Sequence, residues 1–282
     1  MTGTGRDAFD AFDAFDASST LAASVLRPRW PVAARVRALS TTRAGGVSQG
    51  PFASLNLCSR CGDDLPRVQA NRARLMAILP AAPAWLRQVH GCEVVDAATA
   101  RGEPRADASF TTAPGVVCCV LTADRLPVLL ADVGGGVVGI AHAGWRGLAA
   151  GVIERTVDAM RRRVPGAVLQ AWIGPGISRT AFEVGDDVRD AFCGPFPQDR
   201  SAFQPASVGA GCGAGGPAKW LADLELLARW RLERCGVTVA ELERRCTARE
   251  PRHFFSYRRD RVTGRMASCI WIADDPVAGP VV

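Results

Sequence analysis

The sequence predicts a mixed α+β layered fold for this chain of 282 residues. Segments of strand character and of helix character follow one another along the chain, but they form no regular strand–helix–strand repeat. No G-x-G-x-x-G loop is present either, which argues against a doubly wound sheet. Hydrophobic residues make up 48% of the chain, enough to bury a sizeable core in one large domain or two.

Composition narrows the function classes. No run of about 18 or more apolar residues occurs, which excludes a predicted transmembrane helix and a membrane partner. The N-terminus lacks a basic region followed by an apolar core, so we expect a cytoplasmic protein whose ten cysteines are reduced. The net charge of +6 comes almost entirely from arginine, because Lys219 is the only lysine. We expect no nucleic-acid partner, while a basic balance suits an anionic small substrate such as phosphate.

The N-terminal part of the sequence divides into a tail and the start of the domain. Residues 1–27 are predicted to be a disordered, low-complexity tail, because a three-residue Asp-Ala-Phe repeat matches neither the helical nor the strand period. A partner-binding helix is the alternative. The domain, residues 28–282, begins with a strand at 32–39 and a glycine-rich loop at 41–48. A helix follows from 63 to 79, because acidic residues and a proline mark its start.

The remaining elements are read from apolar runs and turn residues. Strands are predicted at 85–95, 116–122, 128–130, 137–140, 171–173 and 266–272. Helices are predicted at 148–163, 186–192 and 219–235, the last ended by Gly236. A loop rich in glycine and alanine at 198–217 has the composition of a lid or insertion. Between residues 137 and 147 a strand runs through His142 into a helix start, a junction that commonly hosts ligand chemistry.

Three histidines are candidates for chemistry. His90 and His142 each lie beside glycine, and two histidines are a natural start for a zinc site, which uses three protein ligands and an open water position. Cys92 would share a strand face with His90 and permits a joint ligand pair. Ordinary, partly buried histidines are the alternative, and His253 is expected to be structural. A lone C-x-x-C at residues 58–61 is a weak metal or redox signal.

Arginines and one aspartate are the other candidates. Arg43 and Arg146 could each hold an anion through a planar guanidinium, or lie as surface charge in a turn. For Arg258 the default is solvated surface charge. Asp124 could act as a general base, as the hydrogen-bond partner of a histidine, or as a helix cap.

Ordered motifs between Trp30 and Ile272 give the chain a resemblance to a known family. The motifs are T-R-A-G-G-V-S (42–48), S-L-N-L (54–57), Q-V-H-G (88–91), A-D-A (106–108), T-A-D (122–124), L-P-V (126–128), H-A-G-W-R-G (142–147), I-G-P-G-I (173–177), F-E-V-G (182–185), F-S-Y-R-R (255–259) and T-G-R (263–265). In these the chain resembles the bacterial laccase-domain family, called multicopper polyphenol oxidoreductase-like and described as purine nucleoside phosphorylases.

The resemblance implies a single domain with a layered α/β/β/α mixed-sheet fold. It implies phosphorolysis of adenosine, inosine, guanosine or methylthioadenosine to free base and ribose 1-phosphate, with adenosine deamination as a second activity. Purine nucleoside and phosphate are then the partners and zinc the cofactor, held by His90, His142 and a cysteine whose position is Arg125 here. We assign catalytic roles to Asp124, Arg43 and Arg146, and substrate binding to Asn56, Gln88, Arg125 and Arg258.

Arg125 departs from the family pattern. A guanidinium offers no lone pair to a metal. Two unit charges ~4 Å apart at an effective dielectric near 20 interact by about 4 kcal/mol, and a divalent ion doubles that repulsion. Three outcomes stay open: a metal-free site with weakened catalysis, Cys92 as a replacement ligand, or Arg125 as a substitute for the charge of the metal.

Three other function classes are weighed against the phosphorylase. A catalytically inactive nucleoside-binding or regulatory paralogue is favoured by Arg125. A multicopper phenol oxidase needs many histidine ligands, and the chain has 3. A Cys–His amidohydrolase would need the cysteine that Arg125 replaces.

Overall fold

The computed structural model describes residues 21–206 and 218–274. The predicted tail up to residue 20 and most of the predicted lid at 198–217 lie outside these ranges. Residues 21–24 are helical and Leu21 is fully buried. Leu26 exchanges two backbone hydrogen bonds with Ser40. Residues 21–27 are therefore packed onto the domain, ahead of the predicted boundary at residue 28.

Six strands form a mixed sheet at the centre of the fold. In chain order they are β2 (Val94–Asp96), β3 (Ala108–Thr111), β5 (Leu126–Asp132), β6 (Val138–Ala143), β7 (Leu169–Ile173) and β11 (Thr238–Leu242). They lie in the order β11-β7-β5-β6-β3-β2. The pairs β5–β6, β5–β7 and β3–β6 are antiparallel, and β7–β11 and β2–β3 are parallel. Because β5 and β6 are central and fully covered, their sequences are almost entirely apolar.

A second, antiparallel sheet packs on one face of the first. It consists of β1 (Val36–Ser40), β12 (Met266–Ile272) and β4 (Cys118–Thr122), in the order β1-β12-β4. The two-residue period of a strand assigns the residues of β5 to opposite faces. Leu129 packs with Ile270 in the core between the two sheets, whereas Val128 and Leu130 belong to the core on the other face of the large sheet.

Helices cover both outer faces, so the layer order is α/β/β/α as predicted. On the large sheet lie α3 (Val152–Arg163) and α5 (Leu224–Arg234), and on the small sheet lies α1 (Leu65–Met76), where Leu75 packs with Leu39. Three further helices are α2 (Trp145–Ala149), α4 (Asp186–Cys193) and α6 (Tyr257–Asp260), and short 3-10 helices lie at Gly50–Phe52, Arg179–Ala181 and Pro197–Ala202. A third, small sheet consists of β8 (Glu183–Val184), β9 (Phe203–Pro205) and β10 (Trp220–Ala222), in the order β8-β10-β9. Over the described ranges, no helix combines the length and the apolar character needed to cross a membrane.

Three predicted elements were wrong in extent. The predicted strand at 85–95 is a loop with isolated bridges, and only β2 at its end is a strand. The predicted helix at 148–163 is divided, because Gly151 adopts a left-handed conformation with φ of 89° between α2 and α3. The predicted helix at 219–235 begins as β10, because the side chain of Asp223 accepts a hydrogen bond from the N–H of Leu226 and caps α5 one residue after that strand ends.

Candidate functional site

Asp107, immediately before β3, organises the site. Its side chain is fully buried and accepts hydrogen bonds from four donors. One carboxylate oxygen accepts from the N–H groups of Val89 at 3.0 Å and Gly91 at 2.7 Å. The other accepts from the N–H of His90 at 3.0 Å and pairs with Nδ1 of His142 at 2.9 Å. The carboxylate therefore fixes the His90 loop and the His142 ring together.

His90 and His142 lie close together although one belongs to a loop and the other to a strand. His142 is the fifth residue of β6, opposite Pro127 of β5. His90 lies in the loop, in a left-handed conformation with φ of 60°, which the three converging N–H bonds to Asp107 hold in place. The ring centroids are 5.1 Å apart. The predicted pairing of His90 with His142 is therefore present in the structure.

The structure excludes the predicted pairing of His90 with Cys92. That pairing needed a straight strand, and the left-handed conformation of His90 removes it. Cys92 instead lines a separate cavity with Glu93 and Arg155, beside α3. Cys92 does not belong to the group of potential metal ligands around His90.

Both site histidines are neutral at neutral pH. Burial, helped by the charges of His142 and Arg125, lowers the pKa of His90 to about 4. Burial also lowers the pKa of His142, although Asp107 opposes this effect. Burial resists ionisation of Asp107, but hydrogen bonds from His142 and from backbone N–H groups lower the pKa of its carboxyl. A neutral His142 that donates from Nδ1 to this carboxylate keeps Nε2 as its acceptor.

The group formed by His90, Asp107 and His142 could hold a metal ion, since one ligand atom from each lies within 4.8 Å of the others. A carboxylate has about four lone-pair sites, and those of Asp107 already accept four hydrogen bonds. Two imidazole nitrogens remain available. The residue at the family's third ligand position, Arg125, lines the same cavity with a cation. These donors do not fit a zinc site with three protein ligands.

Two cavities meet at Arg125. The first has a volume of about 230 Å³ and is lined by His90, His142, Gln88 and Arg265, among others. The second has a volume of about 220 Å³, and its lining residues include Asp124, Trp145, Arg146, Tyr257 and Arg258. Arg125 contributes to the wall of both. The site thus offers two adjoining compartments with a half-buried guanidinium between them.

Asp124 is a structural anchor at the second cavity. Its carboxylate accepts a hydrogen bond from the hydroxyl of Thr247 at 2.8 Å and another from the N–H of Arg258 at 2.6 Å. Its own carbonyl accepts from the N–H of Ile177 at 2.8 Å, and its backbone is left-handed with φ of 82°. Both carboxylate oxygens are engaged, so the structure favours positioning of Arg258 over the predicted action as a general base.

Arg146 and Arg258 both line the second cavity, as their prediction as ligand-binding residues requires. The guanidinium of Arg258 donates to the carbonyl of Glu183 at 2.6 Å and lies 5.1 Å from the ring of Phe182. Arg146 is exposed, and its guanidinium stacks 4.3 Å from the ring of Trp145. Within the described chain Arg146 makes no side-chain hydrogen bond, so its donors face the second cavity and solvent unpaired.

Arg43 and Asn56 lie outside both cavities and have structural roles. The guanidinium of Arg43 donates to the carbonyls of Ala53 at 2.7 Å and Pro251 at 2.9 Å. Asn56 is fully buried, and its amide accepts from the N–H of Arg265 and donates to the carboxylate of Asp63. The catalytic role predicted for Arg43 and the substrate contact predicted for Asn56 stay predictions, and in this structure the polar groups of both residues are used inside the protein.

Gln88 is fixed by hydrogen bonds to the protein and also lines the first cavity. Its side-chain amide donates to the carbonyl of Leu121 at 2.9 Å and accepts from the N–H of the same residue at 2.8 Å. This pairing with the end of β4 fixes Gln88 in the wall of the first cavity. His253, by contrast, is exposed and lines neither cavity, in line with a structural role.

Several site residues were missed or undervalued by the sequence analysis. Asp107 appeared only inside the A-D-A motif, and Arg265 only inside T-G-R. The C-x-x-C pair, Cys58 and Cys61, was ranked as weak, yet the two form a disulfide in the wall of the first cavity. The expectation that all cysteines are reduced is therefore wrong for this pair. A signal was available for Asp107, because a lone acidic residue between alanines at the start of an apolar strand needs a buried partner.

Comparison with known proteins identifies the family. Residues 37–273 match the family described as multi-copper polyphenol oxidoreductase laccase. The chain belongs to this laccase family. A Pseudomonas aeruginosa member named purine nucleoside phosphorylase PA4543 is 50% identical over 249 residues, covering 88% of this chain and 98% of the relative. Purine nucleoside phosphorylase YfiH of Escherichia coli is 47% identical over 256 residues, covering 89% and 99%.

The fold of the laccase family is the fold found here. The crystal structure of protein NMB0706 from Neisseria meningitidis superposes with a TM-score of 0.80 at 48% identity, covering 89% of this chain and 99% of that one. YlmD from Geobacillus stearothermophilus superposes with a TM-score of 0.74 at 32% identity, covering 89% and 97%. The α+β architecture of a single layered domain is thereby confirmed.

Proposed function

We propose that the protein is a purine nucleoside phosphorylase acting on adenosine, inosine or methylthioadenosine. An oxygen of inorganic phosphate forms a bond to C1′ of the ribose, the bond from C1′ to the purine nitrogen breaks, and the base leaves with the bonding electrons. The observation that carries this proposal is the pair of adjoining cavities, one with two neutral histidines and one with arginines. The names of the relatives at 50% and 47% identity support it.

The second cavity would hold phosphate. Arginine binds phosphate oxygens through paired, charge-assisted hydrogen bonds, which orient the anion as well as attract it. Arg146 presents a guanidinium with no described hydrogen-bond partner, and Arg258 is held beside it by Asp124. Phosphate is itself the nucleophile and is already anionic at neutral pH, so this step needs no general base. Asp124 can therefore act by positioning alone.

The first cavity would hold the nucleoside. Its wall carries the neutral rings of His90 and His142, which offer an acceptor nitrogen to a sugar hydroxyl or a base N–H. Gln88 is fixed by β4 and so presents a rigid surface. Negative charge develops on the purine as the bond to C1′ breaks, and the wall of this cavity carries the guanidinium of Arg265, whose positive charge can stabilise it.

Adenosine deamination is the activity that this site supports least. Attack on the purine ring requires a hydroxide, which proteins generate by lowering the pKa of metal-bound water. The donors around His90 do not fit a three-ligand zinc site. We therefore propose phosphorolysis without appreciable deamination.

Chromatographic assay of purified protein with each nucleoside tests this function. Free base and ribose 1-phosphate should form only when phosphate is present, and no inosine should form from adenosine. Arg258→Met should lower the rate about 10–100-fold, the loss expected for one charge-assisted contact. Arg229→Gln, exposed on α5 and outside both cavities, is the matched control and should keep the full rate.

One alternative has a specific observation in its favour. Arg125 stands at the third ligand position, and a family member without metal can be an inactive nucleoside-binding protein. A nucleoside-dependent rise in melting temperature without release of base would establish that alternative and refute the phosphorylase. Equal release of base with and without phosphate would instead indicate a hydrolase.

A further inference from the structure

We propose that Arg125 makes this centre independent of metal and that its guanidinium binds an oxyanion, inorganic phosphate, at the junction of the two cavities. The proposal deepens the proposed function, because phosphate is the co-substrate of that reaction. It also concerns binding alone, so it can be tested whether or not nucleosides turn over. Three features of the structure lead to it.

The donor set around the histidines is the first feature. Asp107 accepts four hydrogen bonds and cannot turn toward a metal without giving up the backbone N–H groups of the His90 loop and the ring N–H of His142. His90 and His142 then supply two neutral nitrogens, and a cation replaces the third ligand. A divalent ion beside a half-buried guanidinium would be repelled, whereas an anion there is attracted.

The second feature is the excess of positive charge around Arg125. Burial, together with the charges of Arg146 and Arg258, acts to lower the pKa of its guanidinium, and Arg265 is a further arginine affected by Arg125. The acidic side chain in this group is Asp124, whose two oxygens are already engaged by Thr247 and by a backbone N–H. A cluster of arginines, half-buried except for the exposed Arg146, with one committed carboxylate is stabilised by a bound anion.

The third feature is a seat that holds the Arg125 side chain. A Cβ built on Gly144 would lie 2.8 Å from Cγ of Arg125 and 3.5 Å from its Nε. Only a residue without a side chain allows the arginine to lie against this backbone. In the described part of the chain the guanidinium makes no hydrogen bond or ion pair, although the ring of Tyr257 is 5.9 Å away. The aliphatic part of the Arg125 side chain is therefore held against Gly144, while the N–H donors of its guanidinium remain available to a ligand.

Metal analysis tests the first half of the proposal. Wild-type protein and Arg125→Cys are incubated with Zn²⁺, desalted and measured by elemental analysis. We expect wild-type protein to retain far less than one zinc per chain and the cysteine variant to retain about one, since two histidines and a thiolate complete a three-ligand site. Wild-type protein with stoichiometric zinc, or an R125C variant no richer in zinc than wild type, would overturn the proposal.

Phosphate binding tests the second half. Phosphate titrated against metal-free protein, by calorimetry or by melting temperature, should bind wild-type protein about 10–100-fold more tightly than Arg125→Met, which keeps the stem that packs on Gly144. Arg125→Lys should bind with intermediate affinity, because it keeps the charge and loses the planar fork. R229Q is the control. Equal affinity of wild type and R125M would refute the role of Arg125.

The Gly144 seat gives a second, independent variant. Gly144→Ala should weaken phosphate binding in the wild-type background by displacing Arg125, and should have no further effect in the R125M background. Additive losses of phosphate affinity in the double variant would show that the alanine does not act through Arg125, and would contradict the role given to Gly144. Tight phosphate binding through Arg125 without turnover of any nucleoside would refute the phosphorylase and leave this proposal intact. Turnover by wild-type protein that holds zinc would instead refute this proposal and leave the phosphorylase intact.

Discussion

At the scale of single residues, the site depends on one carboxylate. The fully buried carboxylate of Asp107 accepts hydrogen bonds from the three consecutive N–H groups of residues 89–91 and pairs with His142. A buried carboxylate that is satisfied in this way is stable, but removal of its acceptor oxygens breaks several hydrogen bonds at once. Asp107 therefore determines where His90 lies as well as which nitrogen of His142 is available.

Asp107→Asn should destabilise the protein by about 2–4 kcal/mol, because an amide NH₂ would face N–H groups that now donate to an oxygen. Denaturant unfolding followed by circular dichroism measures the change. Asp64→Asn is the matched control, since Asp64 is exposed at the start of α1 and its side chain makes no capping bond. We expect the control to stay within about 0.5 kcal/mol of wild type. A D107N variant that unfolds at the same denaturant concentration as wild type would contradict the assigned role.

At the scale of elements, α5 carries a glutamate, Glu225, in surroundings that disfavour its charged form. Asp223 caps the helix, and Glu225 follows in its first turn. Burial, reinforced by the charge of Asp223, raises the pKa of Glu225 to about 7. A carboxyl whose pKa is higher in the folded than in the unfolded state holds its proton longer when folded. The contribution of Glu225 to stability is therefore complete below its unfolded pKa of 4.5 and is lost as the pH rises toward 7.

Glu225→Gln should therefore raise the melting temperature at pH 8 and leave it nearly unchanged at pH 4. Differential scanning calorimetry at the two pH values measures this difference. Glu233→Gln on the same helix is the control, because Glu233 is exposed and pairs with Arg229 in an i,i+4 bridge. Such a surface pair contributes less than about 0.5 kcal/mol. An unchanged E225Q melting temperature at pH 8 would show that the carboxylate is well solvated.

At the scale of the whole molecule, the layered fold follows from the sequence more completely than the site does. The continuous apolar runs at 128–130 and 137–140 predicted the central strands, because such runs are typical of strands covered on both faces. The His90 loop could not be predicted, since its shape depends on Asp107, which is distant along the chain. The sequence assigned a catalytic role to Arg43 and substrate binding to Asn56, and it could not show that the carbonyl of Pro251 and the N–H of Arg265, both distant along the chain, engage these two side chains.

The histidine pair links the site to the stability of the whole molecule. The pKa of His90 is lowered from 6.5 to about 4, and that of His142 is lowered as well, so the unfolded chain binds more protons than the folded one in this window. The contribution of the two histidines to stability is then complete above pH 6.5 and is lost as the pH falls toward 4. In urea unfolding across pH 4 to 8, the histidines should add a contribution to the free energy of unfolding that rises with pH between about 4 and 6.5, opposite in sign to that of Glu225.

His90→Gln should reduce that slope, because glutamine does not titrate. His253→Gln is the matched control, since His253 is exposed and lies outside both cavities. The comparison separates the site histidines from the general effect of net charge, which both variants share. If the slope between pH 4 and 6.5 is the same in H90Q as in wild type and H253Q, the protein does not lower the pKa of His90, and the environment assigned to its imidazole is refuted.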